Sequence, residues 1–133
     1  MAWTWQDGER TIRFGRGTAA TALELVPEAF VLLTTPRAPP AGAPRAHAAT
    51  GVRRVWGGLV VDLAERLLPE LEEAPSLVAL GGGRVVDTAK AVGAVTGAHV
   101  TAIPTTLSAA EMTRIHRLPP SAPRGTALRR PAL

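Results

Sequence analysis

Three consecutive glycines, Gly81 to Gly83, constrain the fold of this 133-residue chain more than any other feature. Glycine loses more conformational freedom on folding than any other residue, so a run of three implies a backbone geometry that side chains would obstruct. The apolar residues 76–80 before it have the length of a buried strand. After it, Val85, Ala89 and Val92 share one face of a helical pattern. This glycine triplet therefore predicts a tight connection from a strand to a helix.

The remainder of the chain alternates between strand and helix patterns. The clearest amphipathic helix covers residues 60–71, and Gly97 is placed to end the helix that follows the triplet. Thr18 is expected to cap a shorter helix. Further strands are expected at 11–15, 30–33, 52–56 and 100–103. The alternation predicts an α/β fold with a parallel sheet and flanking helices, interrupted by a proline-rich stretch at 36–44 that excludes a regular helix.

Composition excludes several classes of protein. The chain has no cysteine, no apolar run long enough to span a membrane and no secretory signal, which favours a cytoplasmic location without membrane contact. The formal charge is +4, but only 4% of residues are aromatic and the basic residues gather near the end. Stacking aromatics and a defined basic face are typical of nucleic-acid surfaces, so we expect no nucleic-acid partner.

Two segments are candidates for a ligand site. Carboxyl ends of neighbouring parallel strands meet at one edge of a sheet, so the glycine triplet and residues 104–108 (PTTLS, the hydroxyl loop) are expected to line one crevice. A helix N-terminus stabilises an anion, and hydroxyl groups of Thr105, Thr106 and Ser108 would add donors. Asp87, one turn into the helix, is expected to bond free amides or reach a ligand hydroxyl. The spacing matches neither GxGxxG nor a Walker motif, so a simple turn remains the alternative.

The pair GGGRVVDTAK and IPTTLSAAEMT resembles the iron-containing (group III) alcohol dehydrogenase family, especially its maleylacetate reductase and glycerol dehydrogenase-like branches. The early FGRG and the terminal RRPAL extend the likeness over much of residues 11–133. The resemblance implies a Rossmann-like, dehydroquinate synthase-like N-terminal domain, truncated here. It places the pyrophosphate of NAD or NADP at Gly82 and Gly83, with Gly81 shaping the turn and the hydroxyl loop contacting the cofactor. Relatives transfer hydride between NAD(P) and an alcohol, aldehyde or ketone beside Fe²⁺ or Zn²⁺.

Three departures from the family pattern bear on the site. Arg84 replaces a common serine, and either pairs with phosphate or faces solvent. Ala110 replaces the serine that precedes Glu111. The proline-rich stretch replaces the acidic residue expected after the first nucleotide-binding strand, so the choice between NAD and NADP stays open.

The family's metal ligands, an Asp and three His, belong to a helical C-terminal domain that this sequence lacks. No two of His47, His99 and His116 have the i, i+4 spacing of a helical metal pair, and His116 and Glu111 are expected to be structural. We therefore expect an NAD(P)-binding domain at 1–118, inactive alone, that would act on a small alcohol or carbonyl substrate only with a second domain. Residues 119–133 would be a basic, proline-containing tail, extended or disordered.

Without the helical second domain, we expect an apolar patch on the nucleotide-binding domain to stay uncovered and to promote self-association. Two alternatives remain. One is a non-catalytic nucleotide-binding or interaction module. The other is a dehydroquinate synthase-like or glycerol-1-phosphate dehydrogenase-like relative.

Overall fold

The computed structural model describes residues 2–26, 29–37 and 48–131. The chain begins with an antiparallel hairpin of β1 (Trp3–Asp7) and β2 (Arg10–Phe14). The sequence pattern predicts β2 but not β1. Trp3 and Phe14 pair across the hairpin with their ring centroids 5.4 Å apart, and both are exposed. The hairpin therefore presents an aromatic face to its surroundings in the isolated chain.

Four parallel strands form the main sheet. They are β3 (Val31–Thr34), β4 (Gly51–Arg54), β5 (Ser76–Gly81) and β6 (His99–Pro104), arranged in the order β4-β3-β5-β6. All six residues of β5 are buried, as expected for a central parallel strand. The α/β fold with a parallel sheet is confirmed, and each of these strands lies within one or two residues of its predicted place.

Helices α1 (Val60–Leu71) and α2 (Gly83–Thr96) pack together against one face of this sheet. Leu33, Leu77 and Ala79 point into that layer, whereas their strand neighbours point to the opposite face, as strand alternation requires. Both helices occupy their predicted residues. Gly97 ends α2 with φ of 83°, a left-handed geometry that favours glycine, and its amide donates to the Gly93 carbonyl at 2.9 Å.

The short helix before β3 differs from the prediction. It is a 3₁₀ helix, Thr18–Leu25, and it follows Gly17, whose φ is 80°. Thr18 does not cap it, because its hydroxyl donates to the Gly15 carbonyl at 2.9 Å in the preceding turn. This helix and Phe30 cover the second face of the sheet. Most of the proline-rich stretch, 38–44, and His47 lie outside the described residues.

The final segment, 119–131, contains no helix or strand, yet it contacts the domain at several points. Arg129 Nη1 donates to the carbonyls of Gly93 at 2.7 Å and Ala98 at 2.9 Å. The Arg10 Nε atom donates to the carbonyl of Pro131 at 3.0 Å, and Pro131 is fully buried. This segment is irregular, and these hydrogen bonds hold it against the domain. Across the described ranges, no helix is long and apolar enough to cross a membrane.

Candidate functional site

The glycine triplet and the hydroxyl loop lie side by side at the carboxyl edge of the sheet. Gly81 pairs with Pro104 at the ends of β5 and β6, and the Thr105 amide donates to the Gly81 carbonyl at 2.9 Å. The strand order reverses at β3, because β4 lies on one side of it and β5 on the other. Sheets of this kind bind ligands at such a reversal, beyond the carboxyl ends of the strands. The two predicted segments therefore border the crevice that the topology favours.

The glycines of the triplet pack closely against their neighbours. A Cβ atom placed on Gly82 would lie 3.1 Å from Thr106 Oγ1, and one on Gly83 would lie 2.9 Å from both Cβ and Oγ of Ser108. At Gly81 the added atom would lie only 2.7 Å from Val85 Cγ2. Side chains would thus push the hydroxyl loop away from the start of α2. Because the glycines have no side chains, the backbone amides and the loop hydroxyls can lie within one small region.

The start of α2 adds donors to that region. Gly82 precedes the helix and offers no side chain to cap it, so the first-turn amides have no side-chain partner there. The aligned peptide dipoles place partial positive charge at the same end. Thr105, Thr106 and Ser108 are exposed, as is Arg84 in the first turn. This combination of amides, hydroxyls and a cation suits a phosphate group.

Lys90 is a residue whose role the sequence analysis misses. It is fully buried, and its Nζ atom donates to Asp87 Oδ1 at 2.9 Å. The same ammonium donates to the carbonyls of Ala110 at 2.8 Å and Ile115 at 3.0 Å. A buried charge needs such partners, because isolated burial of an ammonium is strongly unfavourable. Lys90 therefore fixes the segment after the hydroxyl loop onto α2.

This contact changes the interpretation of Asp87. Sequence reasoning expects its carboxylate to bond free amides or reach a ligand, whereas the structure pairs it with Lys90, three residues along α2. The sequence does contain a signal for the pair. Lys90 is a lysine among small and apolar residues, at the i, i+3 distance from an acid that allows side-chain contact on a helix.

The segment after Thr106 is shaped by local contacts. Ser108 Oγ donates to Glu111 Oε2 at 3.3 Å, and the Ala110 amide donates to Ser108 Oγ at 3.4 Å. Ala109 adopts a left-handed φ of 66°, which is uncommon for a residue other than glycine. The buried Arg10 donates from Nη2 to the Glu111 carbonyl at 3.0 Å. These contacts are consistent with the structural role expected of Glu111.

His116 is engaged through both ring nitrogens. Its Nε2 accepts from the Arg129 amide at 2.8 Å, so Nδ1 carries the proton and donates to the Arg117 carbonyl at 3.0 Å. Burial lowers the pKa of His116, and the positive charge of Lys90 lowers it further, whereas the Arg117 carbonyl and Asp87 act in the opposite direction. Neutral His116 is therefore a structural link between the tail and the domain.

The described histidines do not form a metal site. His116 would lose one of its two hydrogen bonds on ligating a metal. Burial also lowers the pKa of His99, as does the charge of Arg129, and His99 Nδ1 is buried without a hydrogen-bond partner. Within 2–26, 29–37 and 48–131, no three His, Cys, Asp or Glu side chains cluster as metal ligands. The donors of these residues do not fit the family's metal.

Comparisons with known proteins agree with this architecture. A solved maleylacetate reductase from Agrobacterium tumefaciens is 26% identical, with a TM-score of 0.66 over 79% of this chain and 33% of its own. A probable glycerol dehydrogenase from Sinorhizobium meliloti 1021 is 27% identical, with a TM-score of 0.54 over 67% of this chain and 26% of its own. The chain thus spans about a third or less of the length of these two proteins.

A more distant likeness concerns the fold alone. A 2-deoxy-scyllo-inosose synthase, solved with carbaglucose-6-phosphate, NAD⁺ and Co²⁺, is 18% identical, with a TM-score of 0.57 over 86% of this chain and 37% of its own. No curated protein sequence matches the chain. The family model of the iron-containing alcohol dehydrogenases matches residues 46–113, about half of the sequence, and includes the triplet and the hydroxyl loop. The chain therefore belongs to the iron-containing alcohol dehydrogenase family.

Proposed function

We propose that this chain is the dinucleotide-binding part of an oxidoreductase that transfers hydride between NAD(P) and a small alcohol or carbonyl compound. The glycine triplet and the first-turn amides of α2 would hold the pyrophosphate, and Thr105, Thr106 and Ser108 would contact it from the hydroxyl loop. The bound cofactor would supply the hydride to a carbonyl compound or accept it from an alcohol. The residues of this chain would orient the dinucleotide along the edge of the sheet.

One observation carries this proposal: Gly82 and Gly83 face Thr106 and Ser108 so closely that a side chain on either glycine would crowd the hydroxyl loop. A turn that served only to reverse the chain would not require unshielded amides and hydroxyl groups to converge at a helix N-terminus. Such convergence is what phosphate recognition by a helix and loop requires.

The finer proposal is that the substrate resembles maleylacetate and that this chain binds cofactor without turnover by itself. The structural likeness to a maleylacetate reductase supports the first part. The commitment of His116 to Arg129 and Arg117 supports the second, because that side chain is not available to ligate a metal or transfer a proton. Catalysis would then need groups from outside the residues described here.

The test is a calorimetric titration of the full 133-residue chain with NADH and NADPH. Gly82→Val is the main variant, because the added Cβ meets only the rotatable side chain of Thr106 within 4 Å. Gly51→Val is the matched control: Gly51 begins β4 at the opposite edge of the sheet, where an added Cβ makes ordinary contacts of 3.6 Å or more. Gly83→Val is less informative, because its clash with Ser108 would disturb the loop whatever the ligand.

We expect the unmodified chain and Gly51→Val to bind dinucleotide, and Gly82→Val to bind about tenfold or more weakly at an unchanged unfolding midpoint. If Gly82→Val does not fold, Thr106→Val tests the same site, because loss of one hydroxyl hydrogen bond of about 1 kcal/mol weakens binding about fivefold. Absence of binding by the unmodified chain would refute the cofactor site. Reduction of maleylacetate by this chain alone with added Fe²⁺ or Zn²⁺ would refute the requirement for further groups.

A further inference from the structure

Arg54 lies at the carboxyl edge of the sheet, on the side of the crevice away from the hydroxyl loop. It is the last residue of β4, its side chain is exposed, and its Nη1 donates to the Thr35 carbonyl at 3.4 Å. Thr35 immediately follows β3, and its Cγ2 would lie 3.5 Å from a Cβ atom added to Gly81. The Arg54 guanidinium therefore reaches over the end of β3, in the direction of the glycine triplet.

Arg54 has no carboxylate neighbour along this part of the sequence. From Thr34 to Val61 the sequence contains no Asp or Glu. The first carboxylate after β4 is Asp62, in the first turn of α1. Dinucleotide-binding sheets that take NAD hold the adenosine ribose 2′-hydroxyl with a carboxylate, whereas an arginine nearby accommodates the 2′-phosphate of NADP. The Arg54 guanidinium therefore favours a phosphate over a free hydroxyl at this edge.

The dimensions of the sheet would allow Arg54 to contact a second phosphate of a dinucleotide bound at the glycine triplet. Neighbouring strands lie about 4.8 Å apart, so the end of β4 is about 10 Å from the end of β5, where the pyrophosphate is proposed to bind. The Arg54 side chain extends across the end of β3, so its guanidinium lies closer to the end of β5 than its backbone does. A guanidinium can form paired, charge-assisted hydrogen bonds with phosphate oxygens.

We propose that the site prefers NADPH to NADH and that Arg54 contacts the 2′-phosphate of the adenosine ribose. This inference rests on the dinucleotide site proposed above. Arg84 is placed differently, because it belongs to the first turn of α2 and would act on the pyrophosphate, which NADH and NADPH share. The two arginines therefore have separate expected effects: Arg54 on the ratio of the two affinities, and Arg84 on both affinities together.

The experiment measures dissociation constants of the full chain for NADPH and NADH, and for adenosine 2′-phosphate as a separate probe, in three variants. Arg54→Ala removes the proposed contact. Arg53→Ala is the matched control, because Arg53 is the preceding residue of the same strand and pairs with Glu70 of α1. Arg84→Ala tests the cation of the helix N-terminus.

We expect the unmodified chain to bind NADPH about tenfold more tightly than NADH, a difference typical of one charge-assisted contact. Arg54→Ala should weaken NADPH and adenosine 2′-phosphate and leave NADH unchanged, whereas Arg53→Ala should preserve the ratio. Equal affinities or a preference for NADH in the unmodified chain would overturn this inference while leaving the dinucleotide site intact. Loss of the ratio in Arg84→Ala instead of Arg54→Ala would also overturn it. If neither dinucleotide binds, the proposed function itself fails.

Discussion

Replacement of Lys90 by Met tests how the segment after the hydroxyl loop is held. Methionine keeps much of the apolar stem and removes the ammonium, so the carbonyls of Ala110 and Ile115 each lose a donor. Asp87 loses its partner too, but its side chain is 29% exposed and water can replace part of that contact. Lys90→Met should therefore damage the loop attachment more than the packing of α2.

The magnitude follows from these contacts. Removing one partner of a buried ion pair costs about 3–5 kcal/mol, and each buried carbonyl left without a donor costs about 1–3 kcal/mol. Partial exposure of Asp87 reduces the first value, and removal of the buried ammonium eliminates its desolvation penalty. We expect the free energy of unfolding to fall by about 3 kcal/mol.

Urea unfolding of the full chain measures this loss. Arg84→Met is the matched control, because it removes a cation from the exposed side of the same helix and should change stability by less than about 0.5 kcal/mol. A double-mutant cycle with Asp87→Asn should give a coupling of at least about 0.5 kcal/mol between the two side chains. A Lys90→Met variant as stable as Arg84→Met would refute the proposed role of the buried ammonium.

Two further predictions concern the contacts of the tail. Because burial lowers the pKa of His116, the unfolded state binds this proton more readily, so the free energy of unfolding should fall as pH decreases from above 6.5 through the lowered folded-state pKa. The free energy of unfolding, measured by urea titration at pH 7.5 and 5.5, should differ less between the two pH values for His116→Gln than for the unmodified chain, and His99 should supply the remaining difference. An unchanged difference would contradict this role of His116. Arg129→Ala removes both hydrogen bonds to the end of α2 and should cost about 1–2 kcal/mol, with faster amide exchange across 119–131. Unaltered exchange in that segment would show that Arg129 does not hold the tail.

The parallel sheet could be predicted because its signals are local. The apolar run at 76–80, the amphipathic pattern of 60–71 and the turn at Gly97 each specify one element without help from distant residues. The adjacency of the glycine triplet and the hydroxyl loop could also be predicted, because each follows a strand and the carboxyl ends of neighbouring parallel strands lie together. Their adjacency then follows from the pairing of β5 with β6.

The contacts that sequence reasoning misses are made between distant segments. Lys90 reaches a carbonyl 25 residues away, and Arg10 reaches the Pro131 carbonyl across 121 residues. Both acceptors are backbone oxygens, which every residue carries. The sequence of the accepting segment therefore gives no sign of the contact. A local pattern therefore identifies the charged residue at most, and only the fold identifies what it binds.

The pairing of Asp87 with Lys90 is missed for the same reason. A carboxylate near a helix N-terminus is stabilised by the dipole, so assigning it to free amides or a ligand is reasonable locally. The buried ammonium three residues later is the stronger partner, since its burial requires a nearby acceptor. Sequence spacing permitted that pair, but only burial decides that it forms.

Amide chemical shifts on addition of NADPH report which residues contact the dinucleotide. We predict the largest shifts at the amides of Gly82, Gly83 and Arg84, with further shifts at Thr106 and Ser108. Residues of the opposite edge, such as Gly51, should remain unchanged. Saturable binding with its largest shifts away from the glycine triplet, or no shifts at all with NADPH in excess, would contradict the claim that this edge of the sheet is a dinucleotide site.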